Sequence, residues 1–318
     1  GEQGANAMDE LIPKTQTAVK ANEAFGMPSF CDPEKDLRLH ENCGADSCFV
    51  VANVTGDDGN TYNFLIHQGA MIPSGDGSYN AMVAMVSLTD KAGREYLHNE
   101  DTYPFNECTF SLDRLDIRTP TSALSGDLGT MTLSGMLPDG RGSIEATLAN
   151  EGTALQNCGS GSFLCMNDQV TFHHYGLPYL KASGRIVLDG RTIAFGGDAW
   201  LDRQWSHGEI PSVMLEGRFQ TKWMDLNLSN GYKVSLWDIL VDEGKENSWA
   251  TILAPDGTHI VAAMTPLADS ESDFWMSEAT GNYYPTKYVV EIPGVKARID
   301  VAVYEGIPQQ EAVSEAGF

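Results

Sequence analysis

"CFVVANVTGDDGNTYNFLIHQGAMI" (Cys48–Ile72) reads as strand, turn, strand. Runs rich in Val, Phe, Tyr and Ile flank Gly56-Asp57-Asp58-Gly59, and Gly and Asp supply the backbone freedom a tight turn needs. The pattern recurs along the chain. "YNAMVAMVSLTDKAGREYLHN" (Tyr79–Asn99) turns at Lys91-Ala92-Gly93. "GTMTLSGMLPDGRGSIEATLAN" (Gly129–Asn150) and "GRIVLDGRTIAFGGDAWL" (Gly184–Leu201) repeat it. Short β runs punctuated by Gly/Asp turns predict an all-β fold, either sandwich or barrel. Only "ELIPKTQTAVKANEAF" (Glu10–Phe25) hints at a helix, and Pro13 weakens it.

The chain has 318 residues and a formal charge of −24, with 42% hydrophobic residues. That length holds two domains of ordinary size, and that apolar content builds cores. So acidic a surface repels phosphate backbones, so we expect no nucleic-acid partner, and it argues against docking on anionic membranes. No apolar run is long enough to span a bilayer as a helix, and we expect no membrane insertion.

All six cysteines (Cys31, Cys43, Cys48, Cys108, Cys158 and Cys165) precede residue 166, and all six tryptophans follow residue 199. This division predicts two β domains meeting near residue 190. We draw them as a disulfide-stapled domain over 1–188 and a lipocalin-like barrel over 189–318. No C-x-x-C occurs, so zinc and redox readings are weak. Cys43–Cys48 and Cys158–Cys165 are the easiest short loops, which leaves Cys31 with Cys108. Sequons stand at Asn53 and Asn227. With an even cysteine number and a first residue that is not Met, they lead us to expect a secreted glycoprotein.

"FQTKWMDLNLSNGYKVSLWDIL" (Phe219–Leu240) is the sharpest hairpin. Asn230-Gly231 fits a two-residue type I′ turn, which pairs Ser229 with Tyr232. That register puts Met224, Leu226, Leu228 and Trp237 on one face and Trp223, Tyr232, Val234 and Leu236 on the other.

"GDAWLDRQWSHG" (Gly197–Gly208) crowds two Trp, an Asp, an Arg and a His together. As a strand it places Trp200, Asp202 and Gln204 on one face and Leu201, Arg203 and Trp205 on the other. Arg203 beside Trp205 makes a cation–π pair. Asp202 beside Trp200 in an apolar setting would favour a protonated acid. The competing reading is a buried Asp bonded to backbone and an Arg salt bridge holding a domain junction. There is no G-x-S-x-G, G-x-G-x-x-G, P-loop or H-E-x-x-H. His173 and His174 are adjacent, so in a strand they point to opposite faces and do not easily share a metal.

Four ordered blocks carry a family resemblance: "HHYGLPYLKASGRIVLDG" (His173–Gly190), "GGDAWLDRQW" (Gly196–Trp205), "KWMDLNLSNGYKVSLWDI" (Lys222–Ile239) and "YYPTKYVVEIPGVKARIDVAVYEGIPQQE" (Tyr283–Glu311). Together they resemble the CrtC/AttH lipocalin-like family, which includes carotenoid 1,2-hydratases. The resemblance spans roughly residues 171 to 311. It implies two sandwich or lipocalin-like β domains packed side by side, a ligand pocket in or between them, and no metal or redox cofactor. Family activities divide between hydration of a double bond and pericyclic cyclisation in fungal natural-product pathways.

With its secretory features, this chain is most similar in character to the fungal hydratases and hetero-Diels–Alderases. We therefore expect a pericyclase acting on an apolar polyketide- or terpenoid-like substrate, after dehydration to a quinone methide. The alternatives are a hydratase or dehydratase of an alkene and a non-catalytic carrier of an apolar molecule. Asp202 or His207 is expected to be the acid, with Tyr232 and Lys287 as further donors. Trp205, Trp223 and Trp237 are expected as stacking walls, with Tyr175 and Arg203 beside the ligand.

Overall fold

The computed structural model describes residues 31–41, 43–71, 81–165, 170–207, 219–241, 245–304 and 311. The helix hinted at Glu10–Phe25 lies outside them. The described residues are almost wholly β, as the turn punctuation requires. In chain order the strands are β1 (Ala45–Gly56), β2 (Thr61–Met71), β3 (Ala81–Asp90), β4 (Glu95–Pro104), β5 (Thr109–Phe110), β6 (Leu115–Arg118), β7 (Ser122–Gly126), β8 (Thr130–Met136), β9 (Gly142–Asn150), β10 (Leu155–Gln156) and β11 (Ser162–Cys165). They continue as β12 (Val170–Leu188), β13 (Arg191–His207), β14 (Phe219–Asn227), β15 (Lys233–Val241), β16 (Lys245–Leu253), β17 (His259–Ala263), β18 (Ser272–Met276), β19 (Tyr283–Ile292) and β20 (Ala297–Ala302). Each strand–turn–strand unit expected from the sequence forms an antiparallel pair: β1–β2, β3–β4, β8–β9 and β12–β13.

The chain forms two compact units. One comprises Cys31–Ala154 and Asp168–Glu209, the other Leu155–Asn167 and Ile210–Glu305. The expected boundary at 188/189 coincides with the Asp189-Gly190 turn of the β12–β13 hairpin, whose strands pair from Thr171↔His207 to Leu188↔Arg191. A division there would cut a continuous ladder of backbone hydrogen bonds.

In the first unit the strands run in the order β4-β3-β2-β1-β13-β12-β9-β8-β7-β6-β5. Antiparallel neighbours accumulate twist, and here the sheet winds until its distant parts face one another. Gln68 of β2 donates through Nε2 to Ser122 Oγ of β7 at 3.0 Å and to Ile117 O of β6 at 3.3 Å. A Cβ on Gly135 of β8 would stand 2.9 Å from Val86 Cγ1 of β3 and 3.0 Å from Ile66 Cδ1 of β2, so a glycine is needed where the walls approach. The inward face is a continuous apolar cluster that includes Val50, Ile66, Val86, Leu133, Ile186 and Leu201. Burial on this scale, at ~25 cal/mol per Å² of apolar surface, is what closes such a sheet.

In the second unit, β14-β15-β16-β17 form one sheet and β18-β19-β20 another. Val234, Leu236, Ala250 and Ile252 of the first pack with Val290 and Ile292 of the second. The β14–β15 hairpin corrects the expected register. Its loop has three residues, with Leu228 N bonded to Tyr232 O and Gly231 N to Leu228 O, both at 3.0 Å. Gly231 is left-handed at φ +88°, so the loop is a type I turn closed by a G1 bulge. One extra loop residue turns the return strand over. Trp237 therefore stands opposite Trp223 rather than with Leu228, and Tyr232, Val234 and Leu236 join the core.

No disulfide is formed among the described residues, against the expected staple. For Cys43 and Cys48 the reason is geometric. The chain is extended from Ala45, and Gly44 N already bonds Ser206 O at 2.9 Å. Three strand steps carry Cys48 ~10 Å from Ala45. Cys31, Cys43 and Cys48 are instead buried in the apolar cluster. Burial raises the thiol pKa of Cys48 to about 11, and burial with the nearby Asp36 carboxylate raises that of Cys31 to about 12. Cys108 is partly buried against the same cluster. Cys158 lies in the other unit, and its expected partner Cys165 has a side chain outside the described residues.

Candidate active site on the faces of β13

β13 lies between β1 and β12, with Asp202 opposite Phe49 on one side and Gly176 on the other. Its alternation divides the crowded motif as the period of two predicts. Arg203 and Trp205 face inward, while Trp200 and Asp202 face the opposite way.

The inward face is a clasp. Arg203 is fully buried and donates from Nη1 to Asp46 Oδ1 at 2.6 Å, from Nε to Leu37 O at 3.0 Å and from Nη2 to Arg38 O at 2.6 Å. It also donates to Ser47 O. Its guanidinium carbon lies 5.5 Å from the Trp205 ring, so the expected cation–π pair is present. The rings of His40 at 4.2 Å and His173 at 5.3 Å stack on Trp205. His40 Nδ1 meets Asp46 Oδ2 and its Nε2 meets Asp36 Oδ1, both at 2.9 Å. The Arg203 bonds tie Leu37, Arg38, Asp46 and Ser47 to β13, and those of His40 brace Asp36 and Asp46. The Arg salt bridge of the competing reading is therefore present on this face, within one unit and not at a junction between domains. Tyr175 joins it, opposite Arg203, with its ring edge-on to Trp205 at 6.1 Å. Its hydroxyl is buried without a hydrogen-bond partner among the described residues, and burial raises its pKa well above 10.

The other face carries an acid–imidazole pair. His174 Nε2 lies 3.1 Å from Asp202 Oδ1, and Trp200 Nε1 donates to that same oxygen at 3.0 Å. Asp202 and Trp200 are each 4% exposed and His174 1%. Asp202 is therefore one half of a hydrogen-bonded pair, and not the solitary acid in an apolar wall that the sequence led us to expect. Gly176 makes room for it. A Cβ there would stand 2.7 Å from Trp200 Nε1 and 3.0 Å from Asp202 Oδ1. The row continues through Phe49 to His67, whose rings lie 5.6 Å apart. His67 is buried, and burial lowers its pKa to about 4, so it is a neutral imidazole at ordinary pH. A buried carboxyl that shares a proton with an imidazole beside an indole face can deliver or accept a proton next to apolar matter.

The remaining expected site residues are spread more widely. His207 ends β13, and its side chain lies outside the described residues. Tyr232 packs in the apolar core of the second unit. Lys287 is exposed and paired with Asp273 at 2.6 Å. Trp223 and Trp237 do meet, and Trp249 extends the stack, with successive ring centroids 6.1 Å apart. Phe163 packs on Trp237 and Trp249 at 5.5 and 5.1 Å, and Asn157 Oδ1 accepts from Trp249 Nε1 at 2.9 Å. Asn53 and Asn227 are both exposed. Among the described residues no group of three or more His, Cys, Asp and Glu is arranged to hold a metal ion.

Sequence reasoning missed His174 and His67. His173 and His174 do point to opposite faces, as expected, and the register shift between Leu177 and Leu180 decides that the second shares the face of Asp202. Nothing in the local sequence marks His67.

A search of curated proteins found no significant match. Among solved structures the chain is similar to an AttH protein of Nitrosomonas europaea, at TM-score 0.70 and 17% identity, covering 82% of this chain and 80% of that one. It is also similar to kievitone hydratase of Nectria haematococca, at TM-score 0.65 and 19% identity, covering 83% of this chain and 77% of that one. These likenesses extend to the fold. The AttH-like family profile matches residues 29–317, nearly the whole chain, and the protein belongs to the AttH-like family.

Proposed function

We propose that this protein is an enzyme that adds water to, or removes it from, an apolar small molecule, using Asp202 and His174 as its proton-handling pair. The observation that carries the reading is the buried Asp202–His174–Trp200 cluster on the non-core face of β13. In hydration the pair protonates one alkene carbon. The indole face of Trp200 stabilises the cation at the other carbon. Water then attacks that carbon and gives up a proton. The hydratase among the structural neighbours supports this choice of chemistry. No step in it calls for a redox cofactor.

Run as dehydration, the same proton step generates a quinone methide, and a hetero-Diels–Alder cyclisation can follow from it. That pericyclase reading rests on the same acid and on aromatic walls that hold the diene in a reactive geometry. A non-catalytic carrier fits less well, because it has no use for an acid–imidazole pair buried beside an indole. Exposed Asn53 and Asn227 support a secreted, glycosylated protein.

The test uses kievitone first, then a panel of apolar alkenes and tertiary alcohols, each incubated with the protein in ¹⁸O-labelled water. Hydration places ¹⁸O in the product, and dehydration releases the unlabelled hydroxyl. Asp202→Asn is expected to remove either activity while the fold is kept. Unchanged turnover in a folded Asp202→Asn protein overturns the assignment.

A further inference from the structure

The proton given to the alkene and the water that attacks it add at opposite ends of the former double bond. One pair of side chains on one side of a substrate does not serve both ends well. We infer that His67 is the second catalytic group, the base that positions the attacking water and receives its proton, with Phe49 as the floor between the two centres. This inference rests on the hydratase reading above.

The register carries the argument. Asp202 of β13 stands opposite Phe49 of β1, and Phe49 stands opposite His67 of β2. Directly opposed residues of antiparallel strands share a face, so all three project the same way. Asp202 and His67 are two strand spacings apart, about 10 Å between their backbones. In glycoside hydrolysis an acid and a base about 6.5–9.5 Å apart leave space for a water between them and the reacting carbon. Phe49 supplies a flat apolar surface in the gap, with its ring 5.6 Å from that of His67. Met85, opposite His67 on β3, extends the apolar wall and is 7% exposed.

The chemistry suits a weakly basic imidazole. Attack of water on a carbocation gives a protonated alcohol, which is a strong acid. A base whose conjugate acid has a pKa of about 4 is ample to receive that proton. The same low value keeps His67 uncharged at neutral pH, so it does not repel the cation forming over Phe49. The balance is simple. The alkene carbon gains the proton carried by Asp202–His174, the neighbouring carbon gains the water oxygen, the proton that the water loses passes through His67 to solvent, and the acid pair regains a proton from solvent. The net change is addition of one water.

The experiment compares wild type with His67→Gln and His67→Phe in heavy water, on a substrate the wild type hydrates. Both variants keep a neutral side chain of similar bulk, and thermal melting checks each fold. Alcohol formation is expected to fall by ~10²-fold in both, within the range for loss of a general base. Deuterium should still enter recovered alkene, because the acid pair remains and the cation, deprived of positioned water, collapses by losing a proton. Alcohol formation within threefold of wild type in either folded variant overturns the assignment. So does equal loss of hydration and of deuterium exchange, which would give His67 a merely structural role. If neither variant folds, His67→Ala with added imidazole decides: recovery of hydration sustains the inference and no recovery overturns it. A wild type that hydrates nothing defeats the hydratase reading itself, an outcome distinct from all of these.

Discussion

The two faces of β13 are built from the same residue types and do opposite work. Inward, Arg203 meets a carboxylate, three carbonyls and an indole, and every contact ties one stretch of chain to another. On the other face, Asp202 meets an imidazole and an indole N–H, and the first of those bonds joins β12 to β13. An ion pair in the core stabilises only when every partner is in place, because the desolvated charge is otherwise uncompensated. A carboxyl aimed at chemistry must instead keep a proton exchangeable. Crowding of Trp with charged residues in a sequence therefore does not itself signal a site.

Substitutions on each face should separate these roles. The largest expected effect is that of Arg203→Met, which leaves Asp46 buried without its cation. It should cost ~3–5 kcal/mol, read as a lowered denaturation midpoint at unchanged slope. Adding Asp46→Leu should restore much of that loss, and a double variant no better than the single would mean that the clasp is held otherwise. Next comes Asp202→Asn, expected to lower turnover by at least ~10²-fold with a smaller stability loss than Arg203→Met. A large stability loss there would erase the contrast between the faces. Gly176→Ala should fall between the classes. Its methyl group must displace the Trp200–Asp202 bond, at ~1–3 kcal/mol for overpacking, and activity should drop with it.

The smallest effect is one of pH. Burial disfavours charge on His40, but its hydrogen bonds to Asp36 and Asp46 outweigh this and raise its pKa above 6.5. A raised value in the folded state contributes stability that is fully present below pH 6.5 and lost as pH rises through the folded value. The melting temperature should therefore decline from neutral to alkaline pH, and more steeply in wild type than in His40→Gln. Parallel curves would remove His40 from the clasp.

Much of the architecture was legible because its signals are local. Alternation and Gly/Asp turns identified the hairpins, and a period of two divided Trp200 and Asp202 from Arg203 and Trp205. The β14–β15 register was not legible, because Asn230-Gly231 suits both a two-residue I′ turn and a three-residue loop with Gly in the left-handed position. That single residue decides which face Trp237 takes. The candidate site was half legible. Asp202 was found through its motif. Phe49 and His67 meet it only through pairing between strands far apart in sequence, and His174 meets it across the β12–β13 hairpin, where a shift in register between Leu177 and Leu180 decides which histidine shares its face. The cysteines misled for a related reason. Their number suggested staples, whereas extended backbone from Ala45 onward carries Cys48 away from Cys43 and into the apolar cluster.

The stack of Trp223, Trp237 and Trp249 gives the protein an optical signature of its own. Trp237 and Trp249 lie within 8° of parallel. Indoles this close couple their electronic transitions, which gives a paired positive and negative band in circular dichroism when the two transition dipoles are inclined to each other. Trp200 and Trp205 point to opposite sides of their strand and give no such couplet. Loss of the couplet on heating would follow the melting of the second unit alone, and so time it against the unit that carries Asp202.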